Sequence, residues 1–520
     1  MKTSILWRAL AWCVLALAFG MAVYRAKTQT IAHDESLEFE WFLDGGVYRV
    51  LQYNPTNHVL FTLMAKPIVW TLGVSEFIVR IPSLLGAALY LLAAYLLCRR
   101  LFGEGVLLFL SVAMLCLNPQ ILDFMAAARG YILGLAGLAA AMYAMAQAME
   151  RGEFNPEDRA WRNGCVIASI ALALSVVANF TNAVPVACLA LIFSLEAMGG
   201  FRALFRWRER KLQCFAAYFL LPGAATGFCL LWPYLIQVRP ANFYAGMAKT
   251  SDALRDLFTA SFLYKWTEDI YAISLGAVPS PPGSWQDQIT IIGMYLLLPL
   301  LFCMVAAGLI LAWRSAASPR STENAYCRVF GGSAIATVVL IVMLHVAVNA
   351  HYPSSRLCLF LISLFTVGGI LSGRAIYARF PLWYLKTAGL LIAAVVVFDY
   401  ALSLQVTQFR YNAYDVISLR LYQTIAGDAK RRGLTTVRVG GTWWYEPEIN
   451  FYRRKFKAAW MMDYDIKDKS YWWQTPNDLK PSDYDYFVFT PAGDPGLTGP
   501  HVKTIFHDAH TGITIVANEK

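Results

Sequence analysis

Charged residues are scarce in this chain: Asp, Glu, Lys and Arg make up 15% of its 520 residues, while hydrophobic residues make up 58%. A water-soluble globule of that length would lack the polar surface it needs, so the composition excludes one and selects a polytopic membrane protein. Cysteine is missing from the C-terminal part. All ten cysteines lie at or before Cys358, mostly in hydrophobic runs, so the tail has no disulfide and the cysteines read as packing residues. The tail also lacks a metal-ligand spacing, a P-loop and a Gly-rich dinucleotide turn.

A helix crosses the hydrocarbon layer in about 20 residues, and about eleven runs meet that length. They are Ile5–Val23, Ile81–Leu101, Val106–Leu122, Tyr131–Met149, Cys165–Asn179, Ala183–Met198, Phe215–Ile236, Ile289–Trp313, Gly331–Val348, Leu357–Ile370 and Leu382–Val406. Alternate loops hold most of the cations: Lys2 and Arg8; Arg99 and Arg100; Arg151, Arg159 and Arg162; Arg202, Arg206, Arg208, Arg210 and Lys211; Arg314, Arg320 and Arg328; Arg374 and Arg379. The positive-inside rule makes those loops cytoplasmic, with the N-terminus inside and the C-terminus outside. The net charge of +10 is then topological, suits an anionic inner leaflet and calls for no nucleic acid. The first run has a basic start but no small-x-small cleavage site before Tyr24, so it is expected to stay as an anchor.

The expected division is a membrane domain, 1–406, with external loops at 24–80 and 237–288, followed by an external α/β domain, 407–520. The first loop, too long for a simple connector, carries Asp34 and Glu35 and then an apolar stretch, Asn54 to Pro67, that suits an interfacial helix. The second, with Arg239, Lys249, Lys265 and the turn run Pro279–Gly283, suits a mobile cover. The tail predicts helices over 414–432 and 447–454 and strands over 436–439, 484–490 and 513–516. It reads as an accessory unit without chemistry.

The candidate chemistry gathers on the external side. A carboxylate at the water-facing end of a transmembrane helix is cheap to keep ionised, yet borders a low-dielectric slab in which its charge acts strongly. Asp34 is therefore the candidate base, with Glu35 beside it. Arg129, Arg356, His58 and Lys66 share that face and could form a phosphate-binding cluster. Each has a plainer reading: a helix cap for Asp34, a salt bridge for Glu35, snorkelling for the arginines and an interfacial anchor for Lys66. His33 reads as structural. The hydrophobic runs are nearly free of charge at their centres, and no inverted repeat is visible. Both features count against a transporter or flippase of a lipid-linked solute.

These residues, in order, resemble a known family. The Asp34-Glu35 pair after the first helix, His58 with a following Leu60, Arg80-Ile81-Pro82-Ser83 opening the second helix, the Ala128-Arg129-Gly130-Tyr131 turn and the late Ser355-Arg356 are similar to the GT-C glycosyltransferases. The nearest likeness is to the family 39 branch of protein O-mannosyltransferases and the lipid A aminoarabinose transferase. It covers roughly the first two hundred residues best, and the order of the motifs, rather than any one of them, is what is specific. The His58-Val59-Leu60 run departs from the family pattern in lacking prolines. The resemblance implies a GT-C-like membrane fold and transfer of a sugar from a polyprenyl-phosphate donor to an extracytoplasmic glycan, lipid or protein hydroxyl. It implies Asp34 as catalytic carboxylate, Glu35 assisting, and His58, Arg129 and Arg356 at the donor phosphate, with Lys66 a further candidate. No cofactor or metal is expected. A bacterial inner-membrane enzyme with a periplasmic tail is the resulting expectation, and an O-antigen-type ligase is the rival nearest to it.

Overall fold

The computed structural model describes residues 2–52, 54, 56–199, 209–237, 246–262, 285–314, 322–407, 409, 416–464, 483–490, 501–509 and 511–519. Among these are ten helices long and apolar enough to cross a membrane, or eleven if one bent pair counts as a span. The chain is a polytopic α-helical membrane protein. It opens with α1 (Lys2–Thr28), two short helices, α2 (His33–Glu38) and α3 (Val59–Leu72), and then α4 (Glu76–Phe102). Next come α5 (Val106–Cys116), α6 (Pro119–Ala126), α7 (Tyr131–Met149), α8 (Arg159–Ala178) and α9 (Ala183–Ala197). The later spans are Arg210–Leu235, Gln288–Arg314, Thr322–Val348, Arg356–Arg379 and Trp383–Leu402.

The run expected as one straight span, Val106–Leu122, is instead α5 and α6 meeting at 59°. Pro119 has no N–H to continue a helix and crowds the residue before it out of helical backbone. Asn118 accordingly leaves the helix at φ −54°, ψ 124°, and its side chain accepts from the N–H groups of Gln120 and Ile121. It also donates to the Tyr400 hydroxyl at 3.1 Å, which fixes the bend against the last span. The bend brings Asp123 to α1, where Arg25 meets it at 2.5 Å.

Helices α7 and α8 pack through small residues. A Cβ at Gly137 would lie 2.7 Å from the Ala171 carbonyl oxygen, and one at Gly164 would lie 3.1 Å from the Ala148 Cβ. Close approach of this kind replaces the hydrophobic drive that lipid does not supply. One end of the bundle is tied by ion pairs among residues from the basic loops and helix ends: Arg8 and Arg99 with Glu104, Arg100 with Glu150, Arg328 with Glu196, and Arg374 with Glu323. The opposite end carries α2, α3 and the tail.

The helix foreseen within the first loop is α3. In the second loop the described part contains a helix, Thr250–Ser261, and a bridge between Met247 and Tyr352. Arg239, Lys265 and the Pro279–Gly283 run lie outside the described residues, as do Arg202, Arg206, Arg208 and Arg320.

The tail forms a sheet in the order β1-β2-β4-β3, from β1 (Val439–Gly441), β2 (Tyr486–Phe489), β3 (Val502–His507) and β4 (Thr514–Asn518). β1 and β2 run parallel and the other pairs antiparallel. β3 was not foreseen, because Val502-Lys503-Thr504-Ile505-Phe506-His507 is a half-exposed edge strand without a clean apolar alternation. Gly441, at φ +130°, leaves no room for a side chain: a Cβ would fall 1.8 Å from the Val488 carbonyl oxygen. Helices Ser418–Arg431 and Glu446–Lys455 correspond to the two expected. The core of this unit is continuous with the first loop, where Ile31, Leu37, Phe39 and Phe61 are buried among Trp443, Trp444, Ile449, Phe451 and Tyr452.

Gly137→Leu is expected to lower the yield of folded protein, because overpacking at backbone contact costs about 1–3 kcal/mol or more. Gly389→Leu, where nothing lies within 4 Å, should leave the yield unchanged. Detergent size-exclusion profiles of the two variants test the contrast, and a monodisperse Gly137→Leu peak at wild-type yield would refute it.

Candidate functional site

The site is built around α2, whose six residues, even with the π-helical turn Phe39–Leu43 that continues them, are too few to form a stable helix alone. Glu35 sits in its first turn and accepts the Ala32 N–H at 2.9 Å. The same carboxylate accepts the Ala128 N–H at 2.5 Å and pairs with Arg80, Nε to Oε1 at 2.8 Å and Nη2 to Oε2 at 2.5 Å. Arg80 spends its other N–H groups on the carbonyls of Ala26, Gln29 and Thr30. Both side chains are buried. Glu35 thus joins α1, α2, α4 and the turn before α7, and its oxygens are taken by four donors.

Asp34 points elsewhere. Its carboxylate is ion-paired with Arg356, and both side chains are partly exposed, 20% and 27%. Arg129, nearly buried, donates from one Nη to the Asp34 carbonyl at 3.0 Å and to Glu38 Oε2 at 3.1 Å. Its Nε is buried without a partner among the described residues. The turn that aims it depends on Gly130, since a Cβ there would lie 2.1 Å from the Ala178 carbonyl oxygen and 2.7 Å from the His58 Cβ. Ser83, from the Arg-x-Pro-Ser run, donates to the Arg129 carbonyl at 3.1 Å.

Asp34, Glu35, Ala32, Asp123, Phe124, Ala127, Arg129 and Phe409 line a cavity of about 10 Å³, room for about one water. Asp123 is held by Arg25. The bend at Asn118 is what delivers it. Arg25 and Arg80 lie over the Phe409 ring at 5.1 and 5.2 Å.

Glu38 was not singled out, though its place four residues after Asp34 puts both on one helical face. It accepts from Thr62 at 2.7 Å as well as from Arg129. Burial raises its pKa to about 7 against the pull of Arg129. His58 packs behind the Arg129-Gly130 turn, its Nδ1–H donating to the Ala178 carbonyl at 2.9 Å and its ring against Tyr131. Its Nε2 is buried without a partner among the described residues, and burial lowers its pKa to about 3.

Lys66 is not part of this cluster. Its three N–H groups go to the carbonyls of Phe42, Gly45 and Gly46 at 3.0, 2.7 and 3.1 Å, so it staples the bend after the π-helical turn Phe39–Leu43. Desolvation, then Arg49, lowers its pKa. Among the described residues no three His, Cys, Asp or Glu side chains gather to hold a metal ion.

The fold and this cluster define a multi-pass membrane protein with an acid–arginine site at the end of its helix bundle that carries the tail. No protein-family model matches the chain, and no curated protein matches it by sequence. Among solved structures it is similar to the Archaeoglobus fulgidus oligosaccharyltransferase in complex with zinc and sulfate (TM-score 0.45, 12% identity, 92% of this chain and 68% of that one). It is also similar to ArnT from Cupriavidus metallidurans bound to undecaprenyl phosphate (TM-score 0.39, 13% identity, 99% of this chain and 97% of that one).

The buried titratable groups set a pH dependence. His33 and His58 are lowered from 6.5 to about 3, chiefly by burial. Below pH 6.5 the unfolded chain binds two protons that the folded one refuses, so their contribution is whole above that pH and is lost as pH falls toward 3. Glu38 works oppositely: raised from 4.5 to about 7, it favours folding least above pH 7. Two histidines outweigh one glutamate between pH 6.5 and 5. The melting temperature in detergent is expected to drop over that interval, and His58→Gln to shrink the drop. An equal drop in the variant would count against the assignment.

Proposed function

We propose that the chain is an inverting, GT-C-type glycosyltransferase of the bacterial inner membrane, moving a sugar from a polyprenyl phosphate to an extracytoplasmic hydroxyl acceptor. The observation that carries this reading is Asp34: a partly exposed carboxylate at the end of the helix bundle, its side chain on Arg356 and its backbone on Arg129.

A sugar or serine hydroxyl is a weak nucleophile, so a positioned carboxylate must take its proton as the bond forms. The acceptor oxygen attacks the anomeric carbon, the bond from that carbon to the phosphate oxygen breaks, and Asp34 receives the proton. One displacement inverts the anomeric centre. The departing phosphate gains charge, and fixed guanidinium groups stabilise that charge more in the transition state than before it. A 10 Å³ cavity cannot hold a phosphorylated sugar. The site must open for the donor, and in this scheme phosphate oxygens take the Arg356 guanidinium from Asp34, freeing the carboxylate to act as base.

Arg356 and Arg129 are the donor-facing cations in this scheme. His58, neutral and behind Arg129, supports that turn. Glu35, its oxygens already occupied, acts by holding α2, and Lys66, committed to three carbonyls, has no part at the phosphate. The chemistry proceeds without a metal ion. A transporter would place its ionisable groups near the bilayer midplane, whereas these sit beside the tail.

Purified protein incubated with a panel of polyprenyl-phosphate sugars is expected to consume one of them. Asp34→Asn should lower the rate about 100- to 10,000-fold with the protein still folded, and Arg356→Ala should raise the donor KM as well. Folded wild-type protein that consumes no donor, or an Asp34→Asn variant at full rate, would overturn the reading. Loss of activity on chelation would oppose the metal-free scheme.

A further inference from the structure

Helix α2 and the π-helical turn Phe39–Leu43 that continues it make only about three turns, too few to set their own orientation, and Asp34 is useful only if α2 holds it still. The tail contacts that stretch on both sides of Asp34. Before it, the Ile31 N–H donates to the Tyr452 hydroxyl at 3.1 Å. His33 Nδ1 lies 2.6 Å from the Trp444 carbonyl; a carbonyl only accepts, so Nδ1 carries the proton. The His33 ring stacks on Trp444 with centroids 3.8 Å apart and meets Trp443 edge-on at 5.2 Å. After Asp34, Phe39 packs on Phe451, Asn450 reaches Glu40 at 3.4 Å and Arg454 meets Asp44 at 2.9 Å. Lys455 pairs with Glu76 at the start of α4.

All these tail groups come from one short stretch, Trp443 to Lys455, and most of the contacts are buried. A unit that served only to cover the membrane domain would not need to grip His33 and Ile31, one and three residues before one carboxylate, with buried contacts. We propose that the C-terminal domain is part of the catalytic apparatus, with Trp444 and Tyr452 as positioning residues that orient the first turn of α2, and so Asp34, through His33 and Ile31. The inference rests on the glycosyltransferase reading for its kinetic consequence but not for its structural one.

The test uses full-length protein in detergent or nanodiscs. With the donor that wild type consumes, Trp444→Ala is expected to lower kcat roughly tenfold to a hundredfold, the cost of a misplaced group, and to leave the donor KM within roughly twofold, because the arginines lie on other elements. Trp444→Phe keeps a stacking face and should stay close to wild type. Tyr452→Phe, which deletes one oxygen, should lower kcat several-fold. In parallel, hydrogen–deuterium exchange over residues 31–38 should quicken in Trp444→Ala and Tyr452→Phe while that of α7 stays unchanged.

Wild-type kcat in Trp444→Ala, a loss confined to donor KM, or Trp444→Phe as poor as Trp444→Ala would overturn the proposal. If Trp444→Ala does not fold, Tyr452→Phe decides, and unchanged kcat with unchanged exchange overturns it. If wild type consumes no donor, the glycosyltransferase reading falls by itself, and the exchange measurement still decides whether the tail orients α2.

Discussion

The buried pair of Glu35 and Arg80 is the contact on which the rest of this end of the molecule depends. Two ions removed from water repay their desolvation only when geometry is good and the remaining donors and acceptors are satisfied. Here they are: the carboxylate takes four N–H donors, and the guanidinium adds three backbone carbonyls to the carboxylate. The carbonyls belong to the end of α1 and the residues after it, and one of the donors to the turn before α7. A single ion pair therefore fixes the relative placement of four segments drawn from three separate stretches of the sequence, 26–35, 80 and 128. Adjacent residues on a helix point about 100° apart, so a Glu35 anchored inward leaves Asp34 facing outward toward Arg356. The acidic pair at the start of α2 is one anchor and one exposed group, and neither could exchange roles with the other.

How much of this was legible in the sequence depended on the range of the interaction that decides each feature. The spans were legible because roughly twenty apolar residues in a row have one use. The bend between α5 and α6 was marked locally by Asn118-Pro119, but an apolar run on both sides hid it. β3 was hidden because its stability comes from pairing with β4, not from its own pattern. Asp34, Arg129 and Arg356 could be named together because each is a charge at the same end of a span. Glu38 takes its place beside Arg129 only once the helical register of α2 is known. Asp123 required the bend. Lys66 has the same chemistry as a phosphate ligand, and only tertiary structure shows its three donors spent on the carbonyls of Phe42, Gly45 and Gly46.

Most ion pairs at the two ends of the bundle differ in burial, with an exception at each: Arg328 with Glu196 is nearly buried away from the tail, and Arg454 with Asp44 is exposed beside it. At the end away from the tail, pairs such as Arg99 with Glu104 and Arg374 with Glu323 are partly exposed, and exposed pairs contribute little to stability. At the tail end, Arg80 with Glu35, Arg25 with Asp123 and Arg129 with Glu38 are buried. A low-dielectric surrounding strengthens every one of these interactions and penalises any partner left alone. Such a network has few acceptable arrangements, which is what a site that must hold groups to within fractions of an ångström requires.

Within that network one pair differs from the others. Arg356 and Asp34 are partly open to solvent, whereas Glu38, one turn along the same face, is buried and occupied by Thr62 and Arg129. Two carboxylates on one helical face have thus been given opposite surroundings, and separation of this kind is how a site assigns different work to chemically similar groups. Glu38 is taken by Thr62 and by Arg129, and it holds that arginine together with the Asp34 carbonyl. Asp34 can exchange Arg356 for another partner without breaking the buried network behind it, because Glu35 and the Arg129 bond to its carbonyl keep its backbone in place. Of the four acid–arginine pairs formed by Asp34, Glu35, Glu38 and Asp123, the one with Arg356 is therefore the one partly open to solvent, and it can separate at little cost to the fold.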